Sequence, residues 1–266
     1  LTLLDNNPEI IQINKNCGQK FKKRFISQSD PKLKKFFKVK VALIIGAGSI
    51  GQRHIKNLRQ LGIEKIIALR SKKGHYKNLP KDLGVIEVDN MNDAIENNPE
   101  IAIIANPTSL HLDSVREVAE YVKGVFIEKP LSISSDECDE IIEILNQHKV
   151  VSFVGHNLMF HPIVKNIMKF YDQNDIGEII NIQCQVGQWL PDWHPYEDYK
   201  NAYYARKDLG GGAALTLIHE IHLAIELAGK PLSVVGEISE YEKLNLDVDI
   251  CSDLMIKHQA GAVSQI

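Results

Sequence analysis

Apolar and polar positions along the chain change period once, near residue 155. Residues 39–45 are a continuous aliphatic run broken only by Lys40. A run of this length, ended by glycine, predicts a strand buried on both faces. Residues 50–61 then carry apolar side chains at helical spacing and predict an amphipathic helix. The alternation continues, with strands expected at 65–69, 85–88, 101–105, 124–127 and 150–154. Helices are expected at 91–97, 109–122 and 135–147. Ser134, with Glu137 three residues on, forms a capping box for the last of these. Strands alternating with helices over about 115 residues predict an α/β fold, a doubly wound parallel sheet.

Beyond that point the pattern loosens. A helix is expected at 161–171, started by Pro162, and a strand at 179–186. A polar, aromatic loop runs from Gln188 to Tyr196, and Gly210-Gly211-Gly212 leads into a helix ending near residue 228. Strands at 232–241, 248–257 and 261–266 follow. These elements predict an α+β domain on a mostly antiparallel sheet. The expected organisation is a basic extension over 1–38, a dinucleotide-binding Rossmann domain over 39–155, and a substrate and oligomerisation domain over 156–266. The chain stops inside its last strand, so the second domain is expected to be incomplete, and a completed one to form a homo-oligomer.

Composition narrows the function classes. Apolar residues make up 44% and charged residues 24% of 266, ordinary for a globular chain with room for two cores. No apolar run approaches the roughly 18 residues needed to cross a membrane. The net charge of −3 hides an asymmetry: residues 1–40 hold nine Lys and one Arg against three acids, a net of +7. Phe21, Phe25, Phe36 and Phe37 interrupt this arm, which reads as a solvated extension or part of a preceding domain rather than a nucleic-acid tail. Cys17, Cys138, Cys184 and Cys251 are scattered, as expected for reduced thiols. With no signal-peptide pattern at the N-terminus, the expected location is cytoplasmic.

The candidate chemistry sits at predicted strand ends, where open α/β sheets bind ligands. Gly46-Ala47-Gly48-Ser49-Ile50-Gly51 is a Gly-x-Gly-x-x-Gly turn between strand and helix. In such a turn Gly46 bends the chain, Gly48 admits a pyrophosphate and Gly51 lets helix and strand pack closely. Backbone N–H groups at Ser49 and Ile50 then face the phosphates. About 20 residues on, where an NAD site places a carboxylate, stand Arg70, Ser71 and Lys72, which suit the 2′-phosphate of NADP; NAD stays possible. Asn106, Pro107, Thr108 and His111 follow the fourth strand, and Glu128-Lys129-Pro130 follows the fifth. A Lys there can exchange a proton with a reacting oxygen or can be a plain solvated turn residue. A cis Lys–Pro peptide is a further possibility. His219, Glu220 and His222 lack the i, i+4 histidine spacing of a zincin helix, so no metal is expected.

In order and spacing these motifs resemble the Gfo/Idh/MocA oxidoreductases over about residues 39–266. The resemblance rests on the glycine turn, Asn106-Pro107-Thr108-Ser109-Leu110-His111, Glu128-Lys129-Pro130, and Gly210-Gly211-Gly212 leading to His219. Gly155-x-Asn157 through Phe160-His161-Pro162, and Trp193-His194-Pro195 with Asp198-Tyr199, resemble members linked to bacterial cell-surface sugar synthesis. The resemblance implies hydride transfer between a nicotinamide cofactor and a sugar or sugar-derived polyol, with Lys129 and His219 catalytic. Glu128 and Lys129 join Asn106, Pro107, Thr108 and His111 in the cofactor set, and Asn157, Trp193, His194, Tyr196, Arg206 and Thr216 form the substrate set. The aromatic loop has the composition of a sugar site or of a small local core, and Arg206 could meet a carboxylate. Thr216 and His222 stand where many relatives carry Asp, and Met159 where many carry Arg. The alternative function is a non-catalytic nucleotide- or sugar-sensing binding protein.

Overall fold

The protein is described by a computed structural model covering residues 39–72, 78–195 and 197–266. The basic arm, including Cys17, as well as Lys73 and the candidate substrate residue Tyr196, lie outside the described residues. The chain divides into two compact units, the first ending at Val154 and the second running from Gly155 to Ile266.

The first unit is a six-stranded parallel sheet in the order β3-β2-β1-β4-β5-β6. Its strands are β1 (Val41–Ile45), β2 (Lys65–Leu69), β3 (Ile86–Val88), β4 (Ile101–Ile104), β5 (Gly124–Ile127) and β6 (Val151–Val154). Between them run α1 (Ser49–Gln60), α2 (Met91–Glu96), α3 (His111–Val118) and α4 (Ser135–Gln147). The aliphatic runs have no polar face because helices cover both sides of the sheet. In β1, Ala42 and Ile44 point into a cluster with Ile55 and Leu58 of α1. Leu43 and Ile45 point the other way, against Leu112 and Val115 of α3 and Ile141 of α4. Each fully buried aliphatic chain here contributes about 1.5–3 kcal/mol. The capping box is present, Ser134 Oγ accepting the Glu137 N–H at 3.3 Å.

The helix expected over 109–122 is shorter. Residues Thr108–Leu110 form a 3₁₀ turn and the α-helix spans His111–Val118. Pro107 supplies no N–H and directs the chain into the tighter turn.

The second unit holds α5 (Pro162–Asp172), α6 (Leu190–Trp193), α7 (Ala213–Thr216) and α8 (His219–Ala228). Its strands β7 (Asn181–Gln183), β8 (Pro231–Ser239), β9 (Cys251–His258) and β10 (Val263–Gln265) order as β7-β10-β9-β8. Only the β7–β10 pair is parallel, so the sheet is mostly antiparallel as its sequence pattern predicts. β7 is shorter than the expected 179–186, because its one sheet partner among the described residues, β10, offers three paired positions. The single helix expected after the triple glycine is two. Leu217, at φ −101° and ψ 36°, leaves helical space, and α8 starts afresh at His219. The wholly buried His258 joins three elements here, with Nδ1 2.6 Å from the Gly229 carbonyl and Nε2 2.7 Å from Ser264 Oγ.

Candidate functional site

Three turns meet at the carboxyl end of the parallel sheet, following β1, β4 and β5. In the first, Gly46 has φ +89°, and a Cβ on it would lie 2.6 Å from the Asn106 N atom. A Cβ on Gly51 would run into the Gly46 carbonyl oxygen. Both glycines are therefore demanded by backbone packing. Gly48 differs, since a Cβ there meets nothing within 4 Å. It is the exposed N-cap of α1, and no side chain caps that end. Ser49 is exposed and Ile50 half-buried beside it. The leading amides of a twelve-residue helix thus face an open approach, which suits the pyrophosphate of a dinucleotide.

The turn after β4 is braced from within. Asn106 Nδ2 donates to Ser114 Oγ at 2.9 Å, and that hydroxyl donates to the Leu110 carbonyl at 2.8 Å. Asn106 Oδ1 is buried with no hydrogen-bond partner among the described residues, leaving an acceptor available to a bound group. Thr108 is buried and Pro107 half-buried.

His111, expected to contact the cofactor, has another task. It is 1% exposed, with Nδ1 3.1 Å from the Leu131 carbonyl and Nε2 3.1 Å from the Asn106 carbonyl. Its ring lies between the turn after β4 and the turn after β5, with both nitrogens facing backbone carbonyls. Burial pushes its pKa below the usual histidine value, against those carbonyls and the nearby charge of Glu128. As a neutral ring it can donate to only one of the two carbonyls at a time.

The third turn carries Glu128-Lys129-Pro130, and the Lys129–Pro130 peptide is cis. Glu128 accepts the Lys129 N–H at 3.2 Å through one oxygen. Its other oxygen lies 2.7 Å from Nε2 of His54, a buried residue of α1. Sequence reasoning passed over His54, although a polar residue between Gly51 and Ile55 on the apolar stripe of α1 was the available signal.

At the end of β2, Arg70 is 5% exposed and its Nη1 meets Glu87 Oε2 of β3 at 2.7 Å. Ser71 and Lys72 beside it are exposed. The basic character of this strand end is therefore carried outward by Lys72, with Arg70 anchored to the sheet.

In the second unit, His219 opens α8. The His156 ring stacks on His222 at 3.7 Å and 3°, and stands edge-on to His219 at 6.1 Å. His156 was missed because only the tertiary fold brings residue 156 to α8. Thr216, in α7, is 4% exposed. Two of the three consecutive glycines are explained by packing: a Cβ on Gly211 would lie 2.6 Å from the Tyr203 carbonyl oxygen, and one on Gly212 would overlap the Asp249 carboxylate. Asp249 Oδ2 accepts the Ala214 N–H at 2.8 Å, a cap no local pattern announces.

The aromatic loop folds on itself. Trp193 lies 5.3 Å from the His194 ring and 4.8 Å from Tyr204, around a small core of Ala202, Tyr204 and Ala205. Trp193 and His194 are both half-buried in this cluster. Trp189 is exposed, as is Asn157. Arg206, expected to meet a substrate carboxylate, pairs through Nε and Nη2 with both carboxylate oxygens of Asp208. That bond holds the Asp208 carboxyl below its usual range. Among the described residues no group of three or more His, Cys, Asp or Glu is arranged to hold a metal. None of the described helices is long and apolar enough to cross a membrane.

A doubly wound parallel sheet with an open glycine turn, joined to an α+β unit, defines a two-unit protein built on a Rossmann dinucleotide-binding fold. The chain matches the oxidoreductase family with an NAD-binding Rossmann fold over residues 40–156, and the GFO/IDH/MocA C-terminal domain over 164–266. It belongs to the GFO/IDH/MocA family. An uncharacterized oxidoreductase of Bacillus subtilis, YrbE, is 33% identical over 138 residues, 50% of this chain and 40% of that protein. Myo-inositol 2-dehydrogenase of Thermotoga maritima is 28% identical over 231 residues, 84% of this chain and 66% of that one. The chain thus spans less than half the length of the first and about two thirds of the second. In fold it is similar to the WlbA dehydrogenase of Bordetella pertussis, solved with NADH and UDP-GlcNAcA, at a TM-score of 0.74 and 17% identity. That similarity covers 86% of this chain and 70% of WlbA.

Proposed function

We propose that the chain belongs to an oxidoreductase that uses a nicotinamide dinucleotide to interconvert a hydroxyl and a carbonyl on a sugar or sugar-derived polyol. The observation that carries this reading is the meeting of three turns at one end of one sheet: the open glycine turn, the Asn106 turn and the Glu128-Lys129-Pro130 turn. The dehydrogenase relatives, and the nucleotide sugar bound to WlbA, support the substrate class. Bound nicotinamide would supply the hydride chemistry. Gly48, Ser49 and Ile50 would hold the pyrophosphate through their amides, and Lys129 would give or take the hydroxyl proton. His219 is the second acid–base candidate, since an imidazole titrates near the working pH. NADP is the proposed form of the cofactor, because β2 ends in Arg70-Ser71-Lys72 and the nearby Glu87 is already paired with Arg70.

Lys129→Met tests the reading by single-turnover hydride transfer, with bound cofactor measured separately. The expected result is a loss of about 10²–10⁴-fold in rate, the usual worth of a positioned acid or base. Dinucleotide affinity should change by less than about threefold, because the phosphates are held elsewhere. A buried Thr216, where the family resemblance implies a carboxylate, favours a second reading, a nucleotide-sensing binder. A cofactor-loaded wild type inert towards aldoses, polyols and nucleotide sugars would decide for it.

A further inference from the structure

Glu128 is the one carboxylate next to Lys129 in the turn after β5, and its side chain is only 14% exposed. A carboxylate so far withdrawn from water stays ionised only with donors on it. Two are present. The Lys129 N–H donates to one oxygen at 3.2 Å, and the ring of His54 faces the other at 2.7 Å. His54 comes from α1, one turn beyond Gly51, the helix whose N-terminus faces the open glycine turn. Its ring stands edge-on to Phe126 of β5 at 5.0 Å and 61°, and Phe126 stacks on Phe153 of β6 at 5.5 Å. The ring is thus packed in place before any ligand arrives.

We infer that His54 is a positioning residue for the reaction proposed above: its Nε2–H holds Glu128, and through Glu128 the Lys129 backbone, in register with the phosphate-binding helix. The tautomer follows from the surroundings. An ionised carboxylate only accepts, so the proton is on Nε2. His54 Nδ1 is buried with no hydrogen-bond partner among the described residues. A second proton there would be a buried, unsatisfied donor. The other titratable groups about Glu128 are Lys129, which follows it in the turn, and His111, whose proton affinity its charge raises.

The inference depends on the proposed oxidoreductase reading for its kinetics but not for its tautomer. Nitrogen NMR of the imidazoles in the wild-type protein should show the His54 proton on Nε2. His54→Phe should lower turnover by about 10–100-fold while dinucleotide affinity stays within about threefold. His54→Gln, whose amide N–H reaches as far, should recover most of the lost rate. A His54→Phe turnover indistinguishable from wild type, or a His54 proton found on Nδ1, would overturn the inference. If His54→Phe fails to fold, the Gln variant and the NMR measurement decide it. A wild type inert on every sugar would instead remove the reaction, while the NMR result still decides the His54–Glu128 bond.

Discussion

Three glycines in one turn carry three different constraints. Gly46 needs a positive φ and Gly51 needs the absence of a Cβ, whereas Gly48 keeps a ligand's path clear. Two substitutions separate these roles. Gly48→Val should leave the urea midpoint of the protein nearly unchanged and weaken dinucleotide binding by at least about 100-fold, read by cofactor fluorescence. Gly51→Ala, which drives a methyl into the Gly46 carbonyl, should destabilise the fold by about 1–3 kcal/mol in the same denaturation experiment. Equal losses of stability in the two variants would contradict the division. His111 gives the same lesson for polar residues. Its position in Asn106–His111 reads as a cofactor contact, yet the ring is buried with both nitrogens facing backbone carbonyls.

At the scale of elements, the break between α7 and α8 decides where His219 begins. The break depends on a turn so tight that Gly212, at φ +111°, lies against the Asp249 carboxylate, which also receives the Ala214 N–H. Gly212→Ala should therefore destabilise the second unit by about 1–3 kcal/mol, from strain at positive φ and displacement of the cap. Hydrogen exchange should show the loss in α7 and α8 and leave β1 to β5 protected. The long elements were legible beforehand. Continuous aliphatic runs and 3.6-residue periods predict the parallel sheet and its helices because burial on two faces, or on one stripe, leaves a direct mark on composition. Short elements were not. The 3₁₀ turn at Thr108–Leu110 and the three-residue β7 have ends set by Pro107 and by the length of β10.

For the whole molecule, a dinucleotide that binds only the folded chain must raise its stability by mass action. The gain is about 2.7 kcal/mol at a hundred times the dissociation constant. Thermal melts with NADPH and NADH at matched concentrations should both rise above the ligand-free melt, and NADPH should raise it further. A larger shift with NADH would reverse the proposed cofactor form and turn attention to how Arg70 and Glu87 share the end of β2.

The sequence by itself determined the Rossmann unit, its glycine turn, the Glu128-Lys129-Pro130 motif and the family. Each of these is a local pattern whose physics, periodicity or backbone approach, acts between near neighbours in the chain. The partners of those motifs came only with the tertiary structure. His54 reaches Glu128 across 74 positions, Arg70 is taken up by Glu87 of the neighbouring strand, and Asp249 caps a helix 35 positions before it. Hydrogen bonds of this kind depend on a side chain's position in space, which the fold sets and no spacing along the chain records.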